Sequence, residues 1–215
     1  MHVLILGASG GCGRWICRLA RERGHAVRAV VRPSTPFDPP AGTDVVRAEV
    51  LEPGVLDGAA SGQDAVLSAL GIQRASVIPW ARVVSPPDLT ERVARQMVEV
   101  LPRHGVRRVV AISAGGVGES RGRTNALMRG VIASSNVGVA YRDLERMEAT
   151  LAASDLDWMA VRPTTLTNGL PTGRARRVER YGLLSRIARA DVAAFMLDAI
   201  EADAPFADRT PMIAG

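Results

Sequence analysis

Lysine is missing altogether: all 27 basic residues of this 215-residue chain are arginine. That absence excludes a Schiff-base lysine, a phosphate-binding lysine of the Walker kind and a lysine general base. Cysteine is nearly as rare. Cys12 and Cys17 are the only two, so the chain has neither a disulfide framework nor the C-x-x-C metal spacing. His2, His25 and His104 are isolated from one another, which argues against a structural zinc site, and no metal is expected. Three Phe, three Trp and two Tyr make up only 4% of the chain, so the core must be aliphatic. No apolar run reaches the roughly 18 residues of a membrane span. The start, Met1 to Gly7, lacks the charged n-region of a signal peptide. The expectation is a cytoplasmic protein that does not bind membranes.

What is present is ordinary for a single globular domain: 47% hydrophobic and 23% charged residues. The net charge of +5 is spread among acids, as in Arg18-Leu19-Ala20-Arg21-Glu22-Arg23, and only Arg174 to Arg180 forms a compact basic stretch. This scatter argues against nucleic-acid binding as the main function. The basic stretch is either a solvated face or an attractor for a phosphorylated or carboxylated substrate.

Strands and helices alternate along the chain. His2 to Leu6 is an apolar run, followed by a glycine turn and then by apolar residues at helical spacing (15, 16, 19, 20) up to Gly24. Further strands are read at Ala26 to Val31, Asp44 to Val50, Ala65 to Leu70, Val106 to Ile112 and Trp158 to Val161, the last closed by Arg162-Pro163. Helices are read at Gly54 to Ser61, from Asp88 to Leu101, at Arg142 to Ala153 and, capped by Asp191, at Asp191 to Ala202. Pro211 to Ala214 is read as an edge strand. The pattern predicts an α/β fold: a Rossmann-like, doubly wound parallel sheet with helices on both faces, in one domain over residues 1–215. Two irregular stretches, Ile72 to Pro87 and Gly115 to Arg123, follow strands and should lie at the carboxyl edge of the sheet, where open α/β folds bind ligands.

The turn Gly7-Ala8-Ser9-Gly10-Gly11-Cys12-Gly13 carries the first chemical signal. Its G-x-x-G-x-x-G spacing departs from G-x-G-x-x-G, but its place between the first strand and the first helix suits a phosphate cradle. Gly7 and Gly10 shape the turn, Gly13 allows the helix to pack on the strand, and Ser9, Gly11 and Cys12 are further candidate cofactor contacts. Cys12 has two readings: a thiol made acidic by the helix N-terminus, or a small packing residue. The second strand ends Val30-Val31-Arg32-Pro33-Ser34 with no acid until Asp38. Arg32, with Arg14 at the mouth of the first helix, therefore suits a 2′-phosphate, and NADP(H) is preferred over NAD(H). Glu49 is either an acceptor for the adenine amine or a surface glutamate. Ala69, Leu70 and Gly71 end the fourth strand with little bulk, so a ribose can lie against their backbone.

On these residues the chain resembles the atypical short-chain dehydrogenase/reductases, specifically the NAD(P)H-binding proteins related to biliverdin reductase B/flavin reductase and to NmrA-like regulators. Further marks of the resemblance are Val109-Val110-Ala111-Ile112-Ser113, then Ser154-Asp155-Leu156-Asp157-Trp158-Met159-Ala160-Val161-Arg162-Pro163, and Ile187-Ala188-Arg189-Ala190-Asp191-Val192-Ala193. The resemblance implies catalytic roles for a serine after the fifth strand and a tyrosine on the next helix, here Ser113 and Tyr141. It also implies nicotinamide packing near Pro163, with a small substrate-side portion over about residues 163–190. The departure is the partner of the tyrosine: Glu145 stands where the Tyr-x-x-x-Lys pattern has lysine. Without a neighbouring cation a tyrosine keeps a pKa near 10 and is a poor acid–base group at neutral pH.

Hydride transfer to a flavin or a linear tetrapyrrole needs mainly close stacking on the nicotinamide. The expected function is therefore an NADPH-dependent oxidoreductase of flavin-reductase type, monomeric or homodimeric, acting on a small planar acceptor. The alternative is an NADP(H)-binding sensor without turnover. Glu148 either bounds the active site or is a surface residue. Trp158 reads as core packing, and Trp80, in the loop after the fourth strand, as a stacking or capping aromatic.

Overall fold

The computed structural model describes residues 1–215. Its strands are β1 (His2–Leu6), β2 (Ala26–Val31), β3 (Thr43–Arg47), β4 (Ala65–Ser68), β5 (Arg108–Ile112), β6 (Asp157–Pro163), β7 (Thr165–Thr167), β8 (Arg176–Arg177), β9 (Arg186–Ala188) and β10 (Met212–Ala214). Its helices are α1 (Gly11–Glu22), α2 (Val55–Ala60), α3 (Leu89–Val100), α4 (Ala126–Ser134), α5 (Val137–Ala152) and α6 (Arg189–Glu201). Eight strands form one sheet in the order β3-β2-β1-β4-β5-β6-β10-β8, parallel except for the β10–β8 pair, while β7 and β9 make a separate parallel pair. The strand order reverses direction on either side of β1, between β2 and β4. This is the switch point at which doubly wound sheets bind ligands.

The central strands read as unbroken apolar runs because both faces are covered. Val3 and Ile5 join a core with Ile16, Cys17 and Ala20 of α1 and Val192 and Met196 of α6. Leu4 and Leu6, pointing the other way, join a second core with Leu56 of α2, Val93 and Met97 of α3, and Leu144 and Met147 of α5. Asp143 of α5 locks two of these helices together. Its buried carboxylate accepts hydrogen bonds from Thr90 N (3.0 Å), Thr90 Oγ1 (2.7 Å) and Glu91 N (3.0 Å), capping α3 from outside.

Several boundaries differ from the sequence expectation. The first helix begins inside the glycine turn, with Gly10 as its extended N-cap. The fifth strand starts at Arg108 because Val106 N bonds back to Leu101 O at 3.0 Å, closing the turn after α3. The sixth strand runs on through Arg162 and Pro163, which pair with Met212 and Ile213. The last strand is not an edge: β10 lies between β6 and β8. Asp191 does not cap α6, whose N-cap is Ala188. It is buried in the first turn and accepts from Thr172 N, Thr172 Oγ1 and Gly173 N at 2.8–3.0 Å. Helix α4 and strands β7, β8 and β9 had no sequence signal: α4 contains Gly130, and the strands are two or three residues long.

Candidate active site

A cleft of about 350 Å³ opens at the carboxyl ends of β1 to β4, within the ~300–1,000 Å³ usual for small-molecule sites. Gly7, Ser9 and Gly10 line it from the turn, Arg32 from the end of β2, Glu49 from beyond β3, and Ala69, Leu70 and Gly71 from beyond β4. Gly7 has φ +76, and a Cβ there would stand 3.0 Å from the Ala69 carbonyl, so only glycine fits. A Cβ on Gly13 would collide with the Gly7 carbonyl oxygen. That collision accounts for the third glycine: α1 rests directly on the turn.

The remaining sequence candidates fall into two groups. Gly11, Cys12, Gly13 and Arg14 do not line the cleft. Cys12, the second residue of α1, is buried in the core, and burial pushes its thiol up to about 11, against a smaller downward pull from Arg189. The helix end does not make it an acidic thiol. Arg14 points to the loop after β2, donating to Ser9 O (2.9 Å) and Pro36 O (2.8 Å) and stacking over Phe37. Arg32, in contrast, is half-buried, and its guanidinium makes no hydrogen bond or ion pair with the protein; only its carbonyl is engaged, accepting from Thr35 N at 3.1 Å.

Ser113, Tyr141 and Pro163 stand together at the ends of β5 and β6. Ser113 N bonds to Val161 O (2.7 Å), and Pro163 O accepts from Gly115 N (2.9 Å). Tyr141 Oη donates to Gly115 O at 3.0 Å, and burial pushes its pKa up, with Tyr181 nearby adding to the shift. Beside Pro163, Thr164 Oγ1 is buried without a hydrogen-bond partner.

The sequence reading missed a buried ionic network under this corner. Ser113 Oγ donates to Glu148 Oε1 at 2.5 Å. Arg162 Nε and Nη2 donate to Glu148 Oε1 (3.0 Å) and Oε2 (2.5 Å), and Arg162 also pairs with Glu119. Arg162 is 1% exposed and Glu148 7%. Burial works against the arginine's charge, but its hydrogen bonds to Glu148 and Glu119 outweigh burial and raise its pKa. The available signal was an arginine inside the apolar stretch Trp158 to Pro163. A charge so placed needs a buried acid, and Glu148 lies on the helix that precedes that strand. Trp80 does not close the cleft: its Nε1 donates to Ser134 O at 2.9 Å, at the end of α4.

A glycine turn at the switch point, leading into a cleft, is the geometry of a dinucleotide site. Residues 7–203 match the family described as NAD(P)H-binding. The chain belongs to that family. Among proteins of known activity, it is 28% identical over 193 residues to a Streptomyces 3-diazoavenalumate denitrifying reductase; the match covers 82% of this chain but 59% of that enzyme. Among solved structures, it superposes on the anaerobilin reductase ChuY of Escherichia coli O157:H7 with a TM-score of 0.77 at 21% identity, covering 100% of this chain and 97% of that one. A Veillonella parvula short-chain dehydrogenase/reductase in complex with NADP gives a TM-score of 0.76 at 16% identity, covering 100% and 94%. The family match spans residues 7–203, and the solved structures share the fold over the whole chain. No helix is long and apolar enough to cross a membrane.

Proposed function

We propose that this protein is an NADPH-dependent reductase that passes hydride to a planar conjugated acceptor, a flavin or a linear tetrapyrrole. The observation that carries the reading is Arg32, a guanidinium without a protein partner on the wall of a cleft whose floor is the glycine turn. The residues fit the cofactor. Gly7 leaves room against Ala69 for a close approach of backbone, Arg32 suits a 2′-phosphate, Glu49 suits the adenine amine, and Ala69 to Gly71 offer backbone to a ribose. Beyond the lining of the cleft, the buried Ser113, Pro163 and unpartnered Thr164 hydroxyl at the ends of β5 and β6 suit the nicotinamide end.

The bound cofactor would supply the hydride; the protein's part is to hold the two rings together and exclude water. Ser113 Oγ donates its hydrogen bond to Glu148, which leaves its oxygen to serve a partner as an acceptor. Residues 163–190 form the substrate side, where exposed Leu170, Leu183 and Leu184 offer an apolar rim to a flat acceptor. The relatives' reductase activities agree with this class of chemistry.

A second reading, cofactor binding without turnover, draws support from Tyr141, whose hydroxyl is bound to Gly115 O and whose pKa burial raises. The two readings separate in one experiment. NADPH and NADH are titrated into wild type and Arg32→Ala, and cofactor oxidation is followed with flavins, quinones and tetrapyrroles. We expect NADPH to bind more tightly than NADH, with Arg32→Ala losing about 1.5–3 kcal/mol of that preference. Equal affinities in wild type would refute the 2′-phosphate assignment, and tight binding without oxidation of any acceptor would favour the sensor.

A further inference from the structure

Gly11 has no reason to be glycine from its backbone alone. Its φ is not positive, and a glycine in a helix costs up to about 1 kcal/mol relative to alanine. The reason comes from the other end of the chain. A Cβ on Gly11 would stand 2.6 Å from Cδ and 2.7 Å from Nε of Arg189, the first residue of α6. The missing side chain at 11 is the clearance that lets an arginine lie against the glycine turn.

That arginine is poorly partnered where it lies. It is half-buried, its Nη1 donates to Asn168 Oδ1 at 2.5 Å, and it forms no ion pair. The acid nearest to it on α6, Asp191, has both oxygens engaged by Thr172 and Gly173. Its position is also electrostatically unfavourable, because it stands in the first turn of its own helix and against the first residue of α1. A cation held there with most of its donors unused is matched by an anion on the turn.

We propose that Arg189 is a ligand of the cofactor's pyrophosphate, reaching the glycine turn from α6. The inference rests on the cofactor reading above and adds a residue to it. A guanidinium presents two parallel N–H groups to phosphate oxygens, which suits a diphosphate. Through the Asn168 bond, the same side chain ties the segment after β7 to the cofactor turn.

The test compares a ligand that has the pyrophosphate with one that lacks it. NADPH and adenosine 2′-monophosphate are titrated calorimetrically into wild type, Arg189→Ala, Arg189→Gln and Arg189→Lys, with circular dichroism as the check on folding. We expect Arg189→Ala and Arg189→Gln to weaken NADPH roughly ten- to a hundredfold, the range for one charge-assisted hydrogen bond. Adenosine 2′-monophosphate should stay within about twofold, and Arg189→Lys should recover part of the NADPH loss. The glutamine variant keeps a polar side chain within reach of Asn168, so it stands in if the alanine variant misfolds. NADPH binding unchanged in Arg189→Gln would overturn the proposal and leave the cofactor site standing. Equal loss of both ligands would overturn it as general damage to the cleft. Wild type binding neither NADPH nor NADH would overturn the cofactor reading itself.

Discussion

Glu148→Ala should be among the most damaging single substitutions outside the hydrophobic cores. The carboxylate accepts three hydrogen bonds, from Ser113 Oγ and from Arg162 Nε and Nη2. Its removal leaves a guanidinium that is 1% exposed with Glu119 as its sole ion-pair partner, and the Glu119 side chain is 62% exposed. Removing one member of a buried pair costs about 3–5 kcal/mol. At about 2–4 °C per kcal/mol for a chain of this size, Tm should fall by roughly 6–20 °C. Thermal and urea denaturation of Glu148→Ala should be read beside two controls. Glu119→Ala, on the exposed side, should lose less than about 1 kcal/mol. The double substitution Glu148→Leu with Arg162→Met should recover much of the loss, because no buried charge remains. A loss below about 1 kcal/mol in Glu148→Ala would refute the reasoning, since Arg162 would then have an adequate partner elsewhere.

Gly13→Ala should destabilise by about 1–3 kcal/mol or more in a urea melt, because its Cβ meets the rigid Gly7 carbonyl rather than a flexible side chain. A variant as stable as wild type would mean that α1 lifts off the turn without penalty. Tyr141→Phe should change kcat less than about tenfold, below the 10²–10⁴ of a general acid–base group. It should still cost stability, because Gly115 O loses its buried donor; a hundredfold loss of kcat with unchanged NADPH affinity would restore a tyrosine mechanism. The hydrogen bond from Arg162, opposed in part by burial, holds the Glu119 carboxyl below the usual 4.5. Its stabilising contribution is therefore present above pH 4.5 and lost as pH falls through the lower folded value. Glu119→Gln should flatten that acid limb of a stability–pH curve.

The fold was legible wherever one segment carries its own pattern. The run Val3 to Leu6, the glycine turn and the helical spacing after it are local signals, and the β1–α1–β2 unit follows from them. The lining of the cleft was legible where a strand end meets it, as at Arg32, Glu49 and Ala69 to Gly71. What escaped depends on pairs distant in sequence. Arg162 and Glu148 explain each other only once β6 and α5 are packed, and Gly11 has no reason apart from Arg189. The contacts of Arg14 were also hidden, because the Pro36 carbonyl and the Phe37 ring that engage it lie more than twenty positions along the chain. The edge reading of residues 211–214 failed because the two-residue strand that covers it leaves no periodicity to detect.

The inserted position of β10 fixes an order of assembly. Residues 162 and 163 pair with 212 and 213, and Thr164 N bonds to Ile213 O at 3.0 Å. The strand that carries Arg162 and Pro163 therefore lacks its outer neighbour until residues 212–214 have been synthesised. During synthesis the glycine turn and the first four strands can settle early, while the Ser113–Pro163 corner has to wait. A nascent chain halted before residue 212 would thus carry a nearly complete cleft beside an unfinished Ser113–Pro163 corner, with the flank of β6 exposed as an open edge.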